Sequence, residues 1–159
     1  MAVDRRQLII DAANKSFSLF GYKATTMDQV AKLANVGKGT IYTFFKNKEE
    51  LFDEIIHSLI QEMKAAAEAV MDDKLSFYEN ANLALFELLE YRKEHHLMIK
   101  LIQEEREVGT REVLEVLKRL EDMIIQYIKA IVQKAVDKGE IKPCNPELTA
   151  FIMLKLYVS

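Results

Sequence analysis

The residues able to do chemistry crowd between positions 26 and 48. Lys38, Thr40, Tyr42 and Thr43 follow one another closely in a segment that also holds Gly37 and Gly39, and Lys46 and Lys48 come just after it. Ile41, Phe44 and Phe45 recur there at three- to four-residue spacing. A short helix can therefore bury one face and leave the hydroxyls, the lysines and a glycine on the other. Ammonium groups, hydroxyls and bare backbone on an exposed face suit phosphates and base edges. The two glycines mark places where a backbone must bend or come close to something.

Other chemistries find little support. No nucleophile–base pair, glycine-rich phosphate loop or Cys/His metal set is present. His95 and His96 stand near Glu94, Glu104 and Glu105, but adjacent histidines on a helix point about 100° apart and do not converge on one ion. Helix-end capping is the plainer reading of that pair. His57 is a lone histidine that packs or hydrogen-bonds. The one cysteine, Cys144, gives no disulfide framework and fits a reducing cytoplasm. The expectation is a chain that is not an enzyme, with no metal, no cofactor and a cytoplasmic location.

The elements that position the basic, hydroxyl-bearing segment are helices. Half of the 159 residues are hydrophobic, and five Gly and two Pro are few enough to indicate an all-α protein. Asp4-Arg5-Arg6-Gln7 caps a first helix that runs to about Phe20, with Ile9, Ala12, Ala13, Phe17 and Phe20 on its inner side and Gly21 as terminator. Thr26 and Gln29 form the capping box of a second, which lasts to about Ala34. Asn35-Val36-Gly37 is the turn into the third. Asn47 caps a fourth, unbroken to about Val70. A break at Asp72-Asp73-Lys74 and a capping box at Ser76 open a fifth, to about Glu94. A short sixth ends near Gly109. Thr110 caps a seventh, which ends at Lys138-Gly139. Asn145-Pro146-Glu147 opens an eighth. The expectation is eight helices and no strands. No apolar run approaches the ~18 residues of a membrane span.

Charge divides the chain. Residues 1–48 hold 8 Lys/Arg against 3 Asp/Glu, and residues 49–159 hold 14 against 22. A basic head on an acidic body suits a protein that touches DNA at one end; an ordinary solvated asymmetry reads the same way in isolation. Arg5 and Arg6 either reach phosphates or form a solvated terminus.

Residues 5–52 resemble the DNA-binding domain of the TetR family of bacterial transcriptional regulators. The pattern that carries the resemblance is Ile10, Ala12, Ala13, Phe17, Phe20, Thr25, Thr26, Val30, Ala31, Ala34, Val36, Gly39, Thr40, Ile41, Tyr42, Phe45, Lys48, Glu49 and Leu51, in order and spacing. It covers about a third of the chain. The remainder resembles the family in being all-helical.

The resemblance implies a division of labour. Residues 1–47 would form a three-helix helix-turn-helix DNA-binding domain, and residues 48–159 a helical ligand-binding and dimerisation domain. Lys38, Gly39 and Thr40 stand at the recognition-helix positions nearest the bases. Thr26, Tyr42, Thr43, Phe44 and Lys48 match positions that hold the phosphate backbone, although the Phe44 ring could only pack on a sugar or a thymine methyl and serves equally well as core. Phe77, Phe86, Tyr91, Met98, Ile102, Met123 and Tyr127 are core residues or line a pocket for a mostly apolar ligand. The implied function is a ligand-responsive repressor that binds a pseudo-palindromic operator in double-stranded DNA as a homodimer and is released by a small-molecule effector. The alternative is a regulator whose helical domain only dimerises or binds a protein partner. Family members continue through the last helix and one more, which pair at the dimer interface. This chain stops at Ser159 with no glycine, proline or basic turn, and so reads as truncated.

Overall fold

Polar side chains set where the helices begin. Asp4 accepts from the N–H groups of Arg6 and Gln7 and starts α1 (Arg5–Ala24). Thr26 and Gln29 exchange side-chain and backbone bonds across the first turn of α2 (Met27–Leu33). Asn47 accepts from Glu50 N–H at 2.8 Å to start α4 (Lys48–Ala69), and Ser76 with Glu79 closes the box that starts α5 (Phe77–Glu94). Asn145 takes the N–H groups of Glu147 and Leu148 at the start of α8 (Pro146–Val158). Each cap satisfies amide donors that a helix end leaves open. With α3 (Lys38–Phe44), α6 (His96–Glu107) and α7 (Arg111–Asp137), these are the eight helices of residues 4–158, the part of the chain described by this computed structural model, and no strand occurs among them.

Packing sorts the described chain into two compact units. One comprises Met1–Ile60 with Lys93–Leu117, the other Gln61–Arg92 with Lys118–Ser159. Helices α4, α5 and α7 therefore give residues to both. Among the described residues no helix is long and apolar enough to cross a membrane.

In the first unit α1 packs along α6 and α2, and α2 against α3. Ile9, Phe17, Val30, Ile41, Leu51, Phe52, Leu97, Leu101 and Val113 are all but fully buried there. In the second, Phe77, Ala81 and Leu85 of α5 meet Ile128, Val132 and Ala135 of α7 and Ala150 and Leu154 of α8.

The C-terminal end of α1 departs from the expected form. The helix breaks at Gly21 (φ 86°, ψ 173°), a conformation that only glycine adopts without strain, but one more turn follows, to Ala24. Beyond the break Tyr22 turns inward and is 5% exposed, with its ring centroid 4.6 Å from that of Phe52 and 5.9 Å from that of Phe17. Phe20, expected on the inner side, is 55% exposed. Tyr22 occupies the aromatic position beside Phe17 and Phe52, and Phe20 is left outside.

The break also turns the N–H groups of Tyr22 and Lys23 toward Glu104 of α6, whose carboxylate accepts both, at 2.6 and 3.0 Å. Thr110, expected as the cap of α7, donates its hydroxyl to the same carboxylate. A Cβ at position 21 would collide with Glu104 Oε2 as well as strain the backbone. Gly21→Ala is expected to lower stability by roughly 1–3 kcal/mol in urea unfolding. A loss below about 0.5 kcal/mol, the range of inert surface changes, would contradict this account of the joint.

Candidate nucleic-acid interface

Helix α2 ends on Ala34, and Asn35 takes the left-handed conformation (φ 53°) that turns the chain toward α3. Val36 N–H closes back on Ala31 O at 3.0 Å and Asn35 N–H on Lys32 O at 3.1 Å, the paired bonds of a Schellman-type helix end. The bend thus belongs to Asn35 and not to Gly37, which has an ordinary φ of −67° as the N-cap of α3.

Helix α3 is held by Ile41, which is fully buried, and by Phe45 just beyond its end. The rest of it faces out. Tyr42 and Phe44 are 44% and 38% exposed, and Lys38, Gly39 and Thr43 are also open. Phe44, readable as core or as contact residue, is on the open side. Thr40 is half-buried.

Gly39 tells most. Its backbone conformation does not call for glycine, and a Cβ there would meet nothing within 4 Å. Within a helix glycine is less stable than alanine by roughly 0.5–1 kcal/mol. No neighbour among the described residues would oppose a side chain there, so packing gives no reason for glycine at this position.

Three of the polar groups on this side have partners within the fold. Lys38 Nζ lies 3.0 Å from Asp28 of α2, an exposed pair, and the hydrogen bond to Asp28 raises the lysine pKa. A DNA strand would have to share or displace Asp28 at that point. Thr43 Oγ1 donates to Thr40 O at 2.6 Å. Thr26 accepts from Gln29 N–H with its oxygen, which leaves the hydroxyl proton for an outside acceptor.

Lys48, in the first turn of α4, is half-buried, and its ammonium donates to Tyr22 O at 2.8 Å and lies 4.2 Å from the centre of the Tyr22 ring. Burial pushes its pKa down, against the opposing pull of Glu112 and Glu104. Arg6 is engaged within the fold, on Glu54 at 2.9 Å and over the Phe45 ring.

Glu104 and Tyr22 were not singled out as site residues by sequence. For Glu104 a signal existed: an acid at the i+7 position of the buried stripe Leu97-Leu101 is on the inner face of its helix. Tyr22 carries no such local mark.

The residues considered for a pocket are dispersed. Phe77 and Tyr127 line a small cleft of the second unit, together with Ala81, Leu85, Ile131 and Met153 among others; its volume is about 10 Å³, room for about one water. Phe86 and Met123 face outward, 57% and 39% exposed, because the inner stripe of α5 runs through Phe77, Ala81, Ala84 and Leu85, and Phe86 lies off it. Tyr91 is half-buried, with its hydroxyl on Glu62 at 3.0 Å. Met98 and Ile102 belong to the first unit, where Met98 is buried. Among the described residues no group of three or more His, Cys, Asp or Glu could hold a metal ion.

A short exposed helix carried by a capped partner helix, both set on a helical body, defines a helix-turn-helix DNA-binding protein. The comparisons with known proteins agree. The family profile for bacterial regulatory proteins of the tetR family matches residues 9–55. The uncharacterized HTH-type transcriptional regulator YhgD of Bacillus subtilis is 60% identical over 159 residues, which is 100% of this chain and 83% of that one. Among solved structures, the fatty acid degradation regulator FadR from Bacillus halodurans superposes with a TM-score of 0.73 at 18% identity, over 99% of this chain and 82% of that one. A SmeT–triclosan complex does so with a TM-score of 0.75 at 19% identity, over 97% and 77%. The chain belongs to the TetR family and is a DNA-binding transcriptional regulator.

Gly39→Ala separates the two demands on α3. The protein is expected to gain stability of roughly 0.4–1 kcal/mol and to lose duplex affinity. Unaltered duplex affinity, read by fluorescence anisotropy, would show that nothing approaches that backbone.

Proposed function

We propose that the protein is a repressor that binds a pseudo-palindromic operator as a homodimer through residues 1–47 and is released when a small, mostly apolar effector binds within residues 48–159. The observation that carries the DNA half is the open face of α3 around Gly39, where the fold gives up stability for access. Lys38, Gly39 and Thr40 meet base edges in the major groove. Thr26, Tyr42, Thr43, Phe44 and Lys48 hold the flanking phosphates and sugars. Two copies are needed because a symmetric operator presents its half-sites about 34–36 Å apart, one helical turn.

The effector half rests on the lining of the cleft beside Phe77 and Tyr127, which is almost wholly apolar. SmeT, of the same fold, forms a complex with triclosan; for this chain the effector class is drawn from the cleft. Binding there would bias α4, one of the three helices that give residues to both units, and so the spacing of the two heads. Coupling of this kind is typically worth ~1–3 kcal/mol, roughly 5–150-fold in affinity. The small volume of the cleft favours the second reading, in which the helical domain only dimerises or binds a protein partner. An effector of ordinary size has to open the space it fills.

Selection of duplexes from a random pool tests the reading. An inverted repeat with half-sites one turn apart is expected. On that duplex Lys48→Ala should weaken binding to all sequences alike and lower the salt slope by about one. Thr40→Ala should change base preference more than salt dependence. Lipophilic compounds should release the duplex; release by none of them, with the inverted repeat intact, selects the second reading. Enrichment of no repeat overturns both.

A further inference from the structure

Lys48 and Glu104 hold opposite ends of one peptide group. The Tyr22 carbonyl accepts from the Lys48 ammonium at 2.8 Å. The Lys23 N–H, in the same peptide plane, donates to Glu104 Oε1 at 3.0 Å. The sequence of groups is ammonium, carbonyl, amide, carboxylate, with a full charge at each end. Charges so placed polarise the peptide between them, and each hydrogen bond strengthens the other.

The carboxylate end is fixed. Glu104 is 6% exposed, and Tyr22 N–H reaches its second oxygen at 2.6 Å while the Thr110 hydroxyl donates to the first. The ammonium end is held by a carbonyl and, among the described residues, makes no ion pair with a carboxylate. Lys48 is half-buried, its hydrogen bond goes to the Tyr22 carbonyl, the face of the Tyr22 ring lies beside it, and the Glu112 and Glu104 carboxylates act on it only at longer range. An ammonium has three donors. The carbonyl takes one and leaves two for a further acceptor.

We infer that Glu104 is a positioning residue for DNA binding: through the Tyr22–Lys23 peptide it holds the Lys48 ammonium where a backbone phosphate meets it. The inference rests on the reading of Lys48 as a phosphate contact. Glu104 touches no DNA. It makes the Tyr22 carbonyl a stronger acceptor, and that carbonyl keeps a long, flexible side chain in one place before the duplex arrives.

A double-mutant cycle on the selected duplex tests this. Glu104→Gln keeps the shape and removes the charge. It should lower duplex affinity about three- to tenfold, the size of one weakened hydrogen bond, and lower the salt slope toward that of Lys48→Ala. In the Lys48→Ala background the same change should cost nothing further. If Glu104 only fastens α1 to α6, its loss costs the same in both backgrounds, and the inference is overturned. If Lys48→Ala alone leaves affinity and salt slope unaltered, the phosphate reading fails first, and the inference with it.

A second measurement needs no change at Glu104, whose variant has to fold without a buried charge. In the amide spectrum of Lys48→Ala, the Lys23 proton should move upfield, because its peptide is no longer polarised from the carbonyl side. The Tyr22 amide, in the preceding peptide, should stay close to its original position. Equal movement of the two, or none in Lys23, overturns the inference.

Discussion

Glu104 accepting the two amides beyond Gly21 is the contact on which the first unit depends. The break at Gly21 turns Tyr22 and Lys23 away from the helical ladder, and their N–H groups lie in a largely buried place. Buried amides must be paired. A carboxylate from α6 with two oxygens satisfies both at once, and the Thr110 hydroxyl completes its surroundings. Residue 21 has to be glycine for the same contact, since a side chain would occupy the space of that carboxylate. The aromatic trio Phe17, Tyr22 and Phe52 follows from where the break puts Tyr22. Lys48 follows from where it puts the Tyr22 carbonyl.

On that frame α3 is fastened mainly by Ile41 and Phe45, and the remaining residues are free to face out. A seven-residue helix gains little from its own hydrogen bonds and persists through packing. Its outward side contains a glycine, two aromatic rings and hydroxyls, a combination that a helix selected for stability alone would not carry. On the proposed reading, local stability and recognition pull against each other on this face. The Lys38–Asp28 pair belongs to the same balance. It joins α3 to α2, and a phosphate bound at Lys38 would have to share or displace Asp28.

Much of this was legible in the sequence where the physics is local. Thr26, Asn47, Ser76 and Asn145 cap the helices their side chains predict, and α4 is unbroken across the stripe from Leu51 to Ala67. On α3 the burial of Ile41 and Phe45 was legible from their spacing, but Phe44, which shares that spacing, is 38% exposed, and Thr40, expected on the open face, is half-buried. What depends on distant partners was not. Glu104 meets Tyr22 across 82 residues, and no period in the chain announces that pairing. Phe20 lies on the apolar stripe of α1, but Tyr22 fills the site beyond Phe17 once the chain breaks. Lys48 was legible as a cation at a helix start; that it is half-buried, with its ammonium on a carbonyl of another helix, was not. The pocket residues were hardest, since Phe86 and Met123 share the composition of core residues and only the packing of their helices turns them outward.

The central claim is that one face, built from α3, the α2 cap and the first turn of α4, meets the duplex. Amide and side-chain resonances followed while the selected duplex is added test it most directly. The account predicts that the largest shifts fall at Thr26, at residues 37–44 and at Lys48, with Tyr22 and Lys23 following Lys48. Large shifts confined to residues 118–156, with those positions unmoved, would contradict it.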